Sequence, residues 1–376
     1  MRSVRDLTHV EGIPVLVRTS LNEPIVDGVL GDTFRIDNSI PTIKLLRERG
    51  AKIILASHRT GDATLTLRPM YEELSRRLSR VYFSDEIIGA RVRAKIREMH
   101  PGDILLLENL RRNTGEEKNT ASFVHELASL ADYFVQDCFD VCHRPHASVI
   151  GVSTLLPSYA GLSVSHEVSE LYKARKPKSP SLAIIGGAKF STKESVLDSL
   201  VLSYEKVFIG GAIANDLLKA RGYAVGRSKV SSQDIPPHLK KLAHHERIYL
   251  PSDCVVFNHD TKESRVTHVG NVNAHESIYD VGPHTLKTLG EFAGASKDIL
   301  WNGPLGFYEE GYDEGTRTLA HMLARAKGHT VIGGGDTLDV VAKEKLTDRF
   351  SFVSTGGGAM LEYLAHGSLV GLAALS

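Results

Sequence analysis

The segment Ser181-Leu182-Ala183-Ile184-Ile185-Gly186-Gly187-Ala188-Lys189-Phe190-Ser191-Thr192-Lys193-Glu194 admits few folds, because an apolar run, a paired-glycine turn and a helix start follow one another without a gap. Ala183, Ile184 and Ile185 suit a central parallel strand buried on both faces. Gly186-Gly187 permits a tight turn and close approach of backbone to a ligand. Ser191 and Glu194 stand at capping-box spacing ahead of Val196, Leu197, Leu200 and Val201, which predicts a helix beginning near Ser191. Lys189 just before that start and Lys193 in the first turn oppose the positive end of the helix dipole. A phosphate on the helix N-terminus, held by backbone N–H groups and both ammonium groups, resolves the conflict. The plainer alternative is a βα turn with two solvated lysines. The segment is not a Walker A loop, whose G-x-x-x-x-G-K-[ST] order is absent.

The remainder of the chain is long enough to surround such a unit twice. Its 376 residues, 42% of them hydrophobic, favour two domains over one. Lysine plus arginine and aspartate plus glutamate both total 45, so the net charge is zero and nothing points to nucleic acid or to a membrane. No apolar run reaches the length of a membrane span, and Met1-Arg2-Ser3-Val4-Arg5-Asp6 lacks a signal-peptide core, which predicts a cytoplasmic protein. Cys138, Cys142 and Cys254 are too few and too uneven for a disulfide framework.

From Pro14 to about Phe134 short β-branched runs alternate with longer amphipathic ones, the rhythm of a parallel sheet with crossover helices. The strands are expected at Val15 to Val17, Ile53 to Ala56, Ile104 to Leu107 and Tyr133 to Val135. Ile40, Ile43 and Leu46, then Leu67, Met70, Leu74 and Leu78, fall at helical spacing. A helical segment from Val164 to Tyr172 precedes Ala174-Arg175-Lys176-Pro177-Lys178-Ser179-Pro180, a basic, proline-bearing domain boundary. The rhythm then resumes with strands near Lys206 to Ile209, Cys254 to Phe257, Asp298 to Trp301, Thr330 to Ile332 and Phe350 to Val353. The expected architecture is α/β: two doubly wound parallel-sheet lobes of similar size joined by a hinge helix.

Cations gather near the expected strand ends of the first lobe: Arg18, Arg35, His58, Arg111, Arg112, His143, Arg144 and His146. Ligands of open α/β sheets sit beyond the carboxyl ends of strands, so Arg18, His58 and Arg111 can converge on one crevice and select a small anion. Cys138, Cys142, His143 and His146 lie within nine positions, but that spacing is too tight for a tetrahedral zinc site, and small buried cysteines are the simpler reading. In the second lobe, Trp301-Asn302-Gly303-Pro304-Leu305-Gly306-Phe307-Tyr308-Glu309 follows a strand and ends in a carboxylate suited to a ribose. Gly333-Gly334-Gly335-Asp336-Thr337 forms another strand, glycine turn and helix start, where Asp336 suits the dipole and can hold Mg²⁺. Ser354-Thr355-Gly356-Gly357-Gly358-Ala359 repeats the pattern. Each cluster alone is only a tight turn; together they argue for a nucleotide.

These stretches make the chain resemble the phosphoglycerate kinase family over nearly its whole length. The likeness lies in Val15-Leu16-Val17-Arg18, Pro41-Thr42-Ile43-Lys44, Leu106-Leu107-Glu108-Asn109-Leu110-Arg111, His143-Arg144-Pro145-His146-Ala147-Ser148 and the glycine motifs above. It implies reversible phosphoryl transfer between MgATP or MgADP and 3-phosphoglycerate or 1,3-bisphosphoglycerate in glycolysis, with small-molecule partners only and a monomeric enzyme. It also implies that the last residues fold back onto the first lobe. The expected domains are 1–160 with about 365–376 for the acceptor, a hinge helix and linker over 161–179, and 180–364 for the nucleotide.

Carried over by similarity, Arg35, Lys189 and Lys193 are the catalytic residues. Gly186, Gly187, Ala188, Gly211, Asn302, Pro304, Glu309, Gly334, Gly335 and Thr337 join the two lysines at the nucleotide, and Asp336 serves the metal. Asn22, His58, Arg111 and Arg144 match acceptor-binding positions. The departures cluster in that lobe. Ser20 stands where the family has aspartate. Arg59, Thr60, Gly61 and Asp62 replace Leu-Gly-Arg-Pro, so an arginine is missing at Gly61, and Arg59 is its candidate substitute. Asp140 replaces a glycine, with Cys138 and Cys142 for alanines, and either adds a negative charge beside the anion site, weakening it, or bonds a hydroxyl. Restoring arginine at Gly61 is expected to tighten the site. These departures leave open a kinase for another small carboxylate or a non-catalytic nucleotide-binding relative; Arg35, Lys189, Lys193 and Asp336 favour an enzyme.

Overall fold

A computed structural model describes residues 1–26, 29–31, 33–61, 64–188, 190, 193–232 and 234–375. The chain divides into two units, Met1–Ser169 with Ser368–Ser376 and Glu170–Gly367. The first runs through β1 (Pro14–Thr19), a two-stranded ribbon of β2 (Ile25–Val26) and β3 (Val29–Leu30), α1 (Phe34–Glu48), β4 (Lys52–Ala56) and α2 (Arg68–Arg77). It continues through β5 (Val81–Phe83), α3 (Ala90–Glu98), β6 (Ile104–Leu106), α4 (Thr114–Lys118), α5 (Ala121–Ala128), β7 (Tyr133–Asp137) and β8 (Ser158–Ala160). Helix α6 (Leu162–Ala174) carries the chain onward into the second unit.

Six parallel strands in the order β5-β6-β4-β1-β7-β8 form the first sheet. β1 lies at its centre and is buried on both faces, as its unbroken apolar run requires. Alternate side chains serve opposite cores. Val15, Val17, Ile53 and Leu55 pack with Ile36 and Ile43 of α1 and Met70 and Leu74 of α2. Leu16, Ile54, Leu105 and Phe134 pack with Val92 and Ile96 of α3 and Phe123 and Leu127 of α5.

The second unit contains β9 (Ser181–Ile185), α7 (Glu194–Ser203), β10 (Lys206–Ile209), α8 (Gly211–Ala220), α9 (Pro237–Ala243) and β11 (Ile248–Tyr249). Then come β12 (Asp253–Asn258), β13 (Ser264–His268), β14 (Glu276–Val281), α10 (Pro283–Ala295), β15 (Asp298–Asn302) and α11 (Glu314–Leu323). β16 (His329–Gly333), α12 (Gly335–Lys343), β17 (Phe352–Val353) and α13 (Gly358–His366) complete it, and α14 (Val370–Ala373) returns to the first unit. Its parallel sheet has the order β11-β10-β9-β15-β16-β17, so the direction of winding reverses between β9 and β15. That switch opens a crevice beyond the carboxyl ends of these two strands.

Two expectations change. Cys254 to Phe257 belongs not to the βα rhythm but to β12, the middle strand of an antiparallel β13-β12-β14 sheet. Its partner β13 is nearly all exposed, so its residues carry no core-facing alternation to read. Helix α7 begins at Glu194 with Lys193 as its N-cap and no side-chain cap, later than the capping-box spacing predicts; Ser191 lies outside the described residues. Among the described residues no helix is long and apolar enough to cross a membrane.

Trp301 is fully buried in the second core, where its indole Nε1–H donates to Gly303 O at 2.9 Å. Trp301→Ala should destabilise the second unit by about 3–5 kcal/mol. Denaturant unfolding checks this, with little change expected in any transition assigned to the first unit.

Candidate functional site

The loops after β9 and β15 are bound to each other. Gly186 N–H donates to Asn302 O and Gly187 N–H to Pro304 O, both at 2.9 Å, while Gly211 N–H reaches Leu305 O at 3.0 Å. Gly303 cannot be replaced cheaply. Its φ is +95°, and a Cβ would meet Gly186 O at 2.3 Å and Lys193 Nζ at 2.6 Å. Beside these loops is a cavity of about 300 Å³ lined by Gly187, Ala188, Lys193, Asn302, Gly303, Pro304, Gly334, Gly335, Asp336, Gly357 and Gly358. Helices α7, α12 and α13 all start at this wall or within one residue of it, presenting backbone N–H groups that have no partner inside their helices.

Lys193 is the buried cation of this cavity. Its ammonium donates to Gly186 O, to Asn302 Oδ1 at 3.0 Å and to Asn302 O at 3.4 Å. Burial drives its pKa down to about 8, with the Asp336 carboxylate partly opposing the shift. Gly187, Ala188, Pro304 and Asp336 also line a second cavity of about 320 Å³, which extends past Tyr308 and Glu309 to Gly211, Asn215, Leu218, Ile278 and Leu305. One end thus offers cationic and N–H donors for phosphates, the other an apolar slot for a flat ring. Thr337 lines neither cavity; fully buried, its hydroxyl accepts from Gly303 N–H at 2.9 Å and holds the loop. Lys189 lies outside the described residues.

In the first unit several cations expected at an anion site gather about Arg18, at the carboxyl end of β1 and only 1% exposed. Its guanidinium donates to Ser148 Oγ at 2.9 Å, Thr19 O at 2.8 Å and His58 Nδ1 at 2.9 Å. Ser148 in turn is held by Glu116 through Oγ and backbone N–H, at 2.5 and 3.0 Å. Because Nδ1 accepts, the His58 proton sits on Nε2. Burial and the charges of Arg18, Arg111, Arg144 and His146 push its pKa well below the usual histidine range, so it is a neutral donor. Arg111 Nη1 donates to Thr60 Oγ1 at 3.0 Å and its Nε lies 3.2 Å from Glu117, whereas Arg144 is exposed. Arg35 is bonded to Glu23 through Nη1 at 3.2 Å.

A model described as phosphoglycerate kinase matches residues 4–367. The phosphoglycerate kinase of Borreliella afzelii is 38% identical, with 100% of this chain and 99% of that protein covered; that of Moorella thermoacetica is 39% identical over 96% of each. The chain belongs to the phosphoglycerate kinase family. Among solved structures, phosphoglycerate kinase from Coxiella burnetii superimposes with a TM-score of 0.84 at 33% identity, covering 99% of this chain and 98% of that one. The enzyme from Pyrococcus horikoshii gives 0.89 at 28% identity, covering 100% and 98%.

After β4 the departures from the family pattern fall on Arg59, Thr60, Gly61 and Asp62. Gly61 has a φ of +124°, and a Cβ there would touch Leu65 Cδ1 at 2.8 Å, so returning an arginine to this position strains the backbone rather than simply restoring a cation. Thr60 instead joins two expected binding residues. Its N–H donates to Asn22 Oδ1 at 2.8 Å, and its hydroxyl receives Asn22 Nδ2 at 3.1 Å and Arg111 Nη1 at 3.0 Å. The Arg59 backbone is pinned by Asn109 at 3.0 and 3.4 Å, and its guanidinium has no bonded partner among the described residues. The Ser20 hydroxyl is buried and has no hydrogen-bond partner among the described residues. Asp140 accepts from the Cys138 thiol at 2.8 Å. Burial raises the thiol pKa of both Cys138 and Cys142, which keeps them protonated. Asp62 lies outside the described residues. The roles of Arg18, Glu116, Ser148 and Thr60 escape a motif search, because each acts through a partner distant in sequence.

Lys193 supplies a pH test. Its pKa is depressed from 10.5 to about 8, so the folded protein binds fewer protons than the unfolded chain between those values. Stability rises with pH across that window, and the full cost of the buried ammonium applies below it. A bound phosphate favours the charged form and reverses the depression. Nucleotide binding should therefore take up close to one proton at pH 9 and little at pH 7, and weaken as pH climbs past about 8. Calorimetry in buffers of different ionisation enthalpy measures the uptake, and Lys193→Met should abolish it.

Proposed function

We propose that this chain catalyses reversible transfer of the γ-phosphoryl group of MgATP to the carboxylate of 3-phosphoglycerate. The second unit holds the nucleotide and the first holds the acceptor. The observation that carries the reading is Lys193, a buried ammonium set among carbonyl oxygens where three helix N-termini meet. An uncompensated buried cation is costly unless its task is to receive an anion.

An acceptor carboxylate is ionised at neutral pH and needs no general base. Its oxygen forms a bond to the γ-phosphorus as the bond to the bridging oxygen breaks, and ADP leaves. Catalysis then rests on alignment and charge neutralisation. Lys193, with Lys189 by resemblance, is assigned to the phosphates, Glu309 to the ribose, and Arg35 to charge on the phosphoryl group in flight. Asp336, facing the phosphate cavity, is a fitting partner for Mg²⁺, which prefers one or two carboxylates plus substrate oxygens. Among the described residues no group of three His, Cys, Asp or Glu can hold an ion unaided, in keeping with that shared coordination. The ion would neutralise phosphate charge when the nucleotide binds.

His58, Arg111, Arg144, Asn22 and Arg35 are assigned to the acceptor, with Ser20 beside them. Arg59 replaces the missing arginine. In this reading the protein is a cytoplasmic, monomeric glycolytic enzyme. A coupled assay with MgATP and a panel of phosphorylated and plain carboxylates tests it. Turnover should be greatest with 3-phosphoglycerate, and preference for another carboxylate would refute that assignment. Arg35→Ala should lower kcat on the order of a thousandfold while nucleotide affinity holds; a loss within tenfold would remove Arg35 from this role. Arg59→Ala should raise KM for 3-phosphoglycerate about ten- to a hundredfold, the worth of one charge-assisted contact.

A further inference from the structure

The Glu23 carboxylate sits between β1 and the β2–β3 ribbon with none of its side chain exposed. Its three hydrogen bonds to described residues all come from the start of α1. Oε1 accepts from the backbone N–H of Arg35 at 2.6 Å and of Ile36 at 3.1 Å; Oε2 accepts from Arg35 Nη1 at 3.2 Å. The two N–H groups belong to the first turn and have no partner within the helix. Thr33, the N-cap residue, provides no side-chain cap, so Glu23 fills that place from eleven or more residues upstream. One buried group thus fixes Arg35 twice, by its backbone and by its guanidinium.

The choice of Nη1 matters. It leaves the edge formed by Nε and Nη2, whose parallel N–H bonds match two oxygens of one anionic group. Nε of Arg35 is buried and has no hydrogen-bond partner among the described residues. A donor withheld from water and left unpaired is costly unless something arrives to pair with it.

We propose that Glu23 is a positioning residue for phosphoryl transfer: it clamps Arg35 through the backbone and Nη1 so that the Nε–Nη2 edge is presented to oxygens of the transferring group. This rests on the role given to Arg35 above. A residue that served only to cap α1 would contribute to stability alone. Glu23→Gln separates the two functions, because its amide oxygen can still accept from the backbone while its NH₂ cannot accept from Nη1.

The test is a double-mutant cycle on kcat, KM and melting midpoint with Glu23→Gln, Arg35→Ala and the pair. Glu23→Gln should lower kcat about ten- to a hundredfold, as misaligned groups do, while both KM values stay within about threefold. In the Arg35→Ala background it should change kcat less than about twofold. An equal loss in both backgrounds, or no loss in the parent, overturns the proposal even when Arg35→Ala is severely impaired. If Arg35→Ala retains activity within tenfold, the failure belongs to the reading of Arg35 itself. Should Glu23→Gln not fold, Glu23→Asp, which keeps the charge and shortens its reach, enters the same cycle.

Discussion

A buried ammonium without a carboxylate bonded to it organises the second unit. Lys193 joins the loop after β9 to the loop after β15 by donating to carbonyl oxygens of both. Those loops approach closely because Gly186 and Gly303 have no side chains to intervene. The arrangement keeps water away from the charge and drives the pKa down, but carbonyl dipoles do not neutralise it. The remaining positive potential is shared with the starts of α7, α12 and α13. The site is therefore organised for an anion before one arrives, and its cost is carried by the surrounding core, with Trp301 beneath Gly303.

The first unit answers the same problem differently. Its central cation, Arg18, spends its donors inward on Thr19, His58 and Ser148, and Ser148 is anchored by Glu116. Arg18 is thus less a ligand-binding group than the support of one. It fixes the tautomer of His58 and contributes to the field that keeps this imidazole neutral. His58 is thus a charge-free donor with the guanidinium groups of Arg111 and Arg144 near it. Thr60 adds a second support by tying Asn22 to Arg111.

The legible parts of this protein are those with local period or punctuation. Central strands β1, β4, β9, β15 and β16 announce themselves as apolar runs before glycine or a charged turn, and the glycine clusters mark their carboxyl ends. Short edge strands such as β8 and β11 hold too few residues to display a period. The start of α7 misled because capping-box spacing is a local signal, and the helix instead begins where Lys193 is drawn into its carbonyl cage. Candidate site residues are readable by residue type; their supports are not. Glu23 carries no signal in the sequence, because its partners lie in α1, more than ten positions away. Asp140 likewise gives no sign in the sequence that its carboxylate accepts from the Cys138 thiol.

The path of the chain also has a temporal meaning. Helix α14 belongs to the first unit, where Gly371 N–H donates to Cys142 O at 2.8 Å and the missing side chain of Gly371 allows the approach to Val149 and Cys142. The second unit is one uninterrupted stretch and can close as soon as it leaves the ribosome. The unit synthesised first must instead wait, lacking one wall, until every residue of its neighbour has been made. Translation order and completion order are thus reversed, and during that interval the residues that α14 covers, Cys142 and Val149 among them, lack their cover.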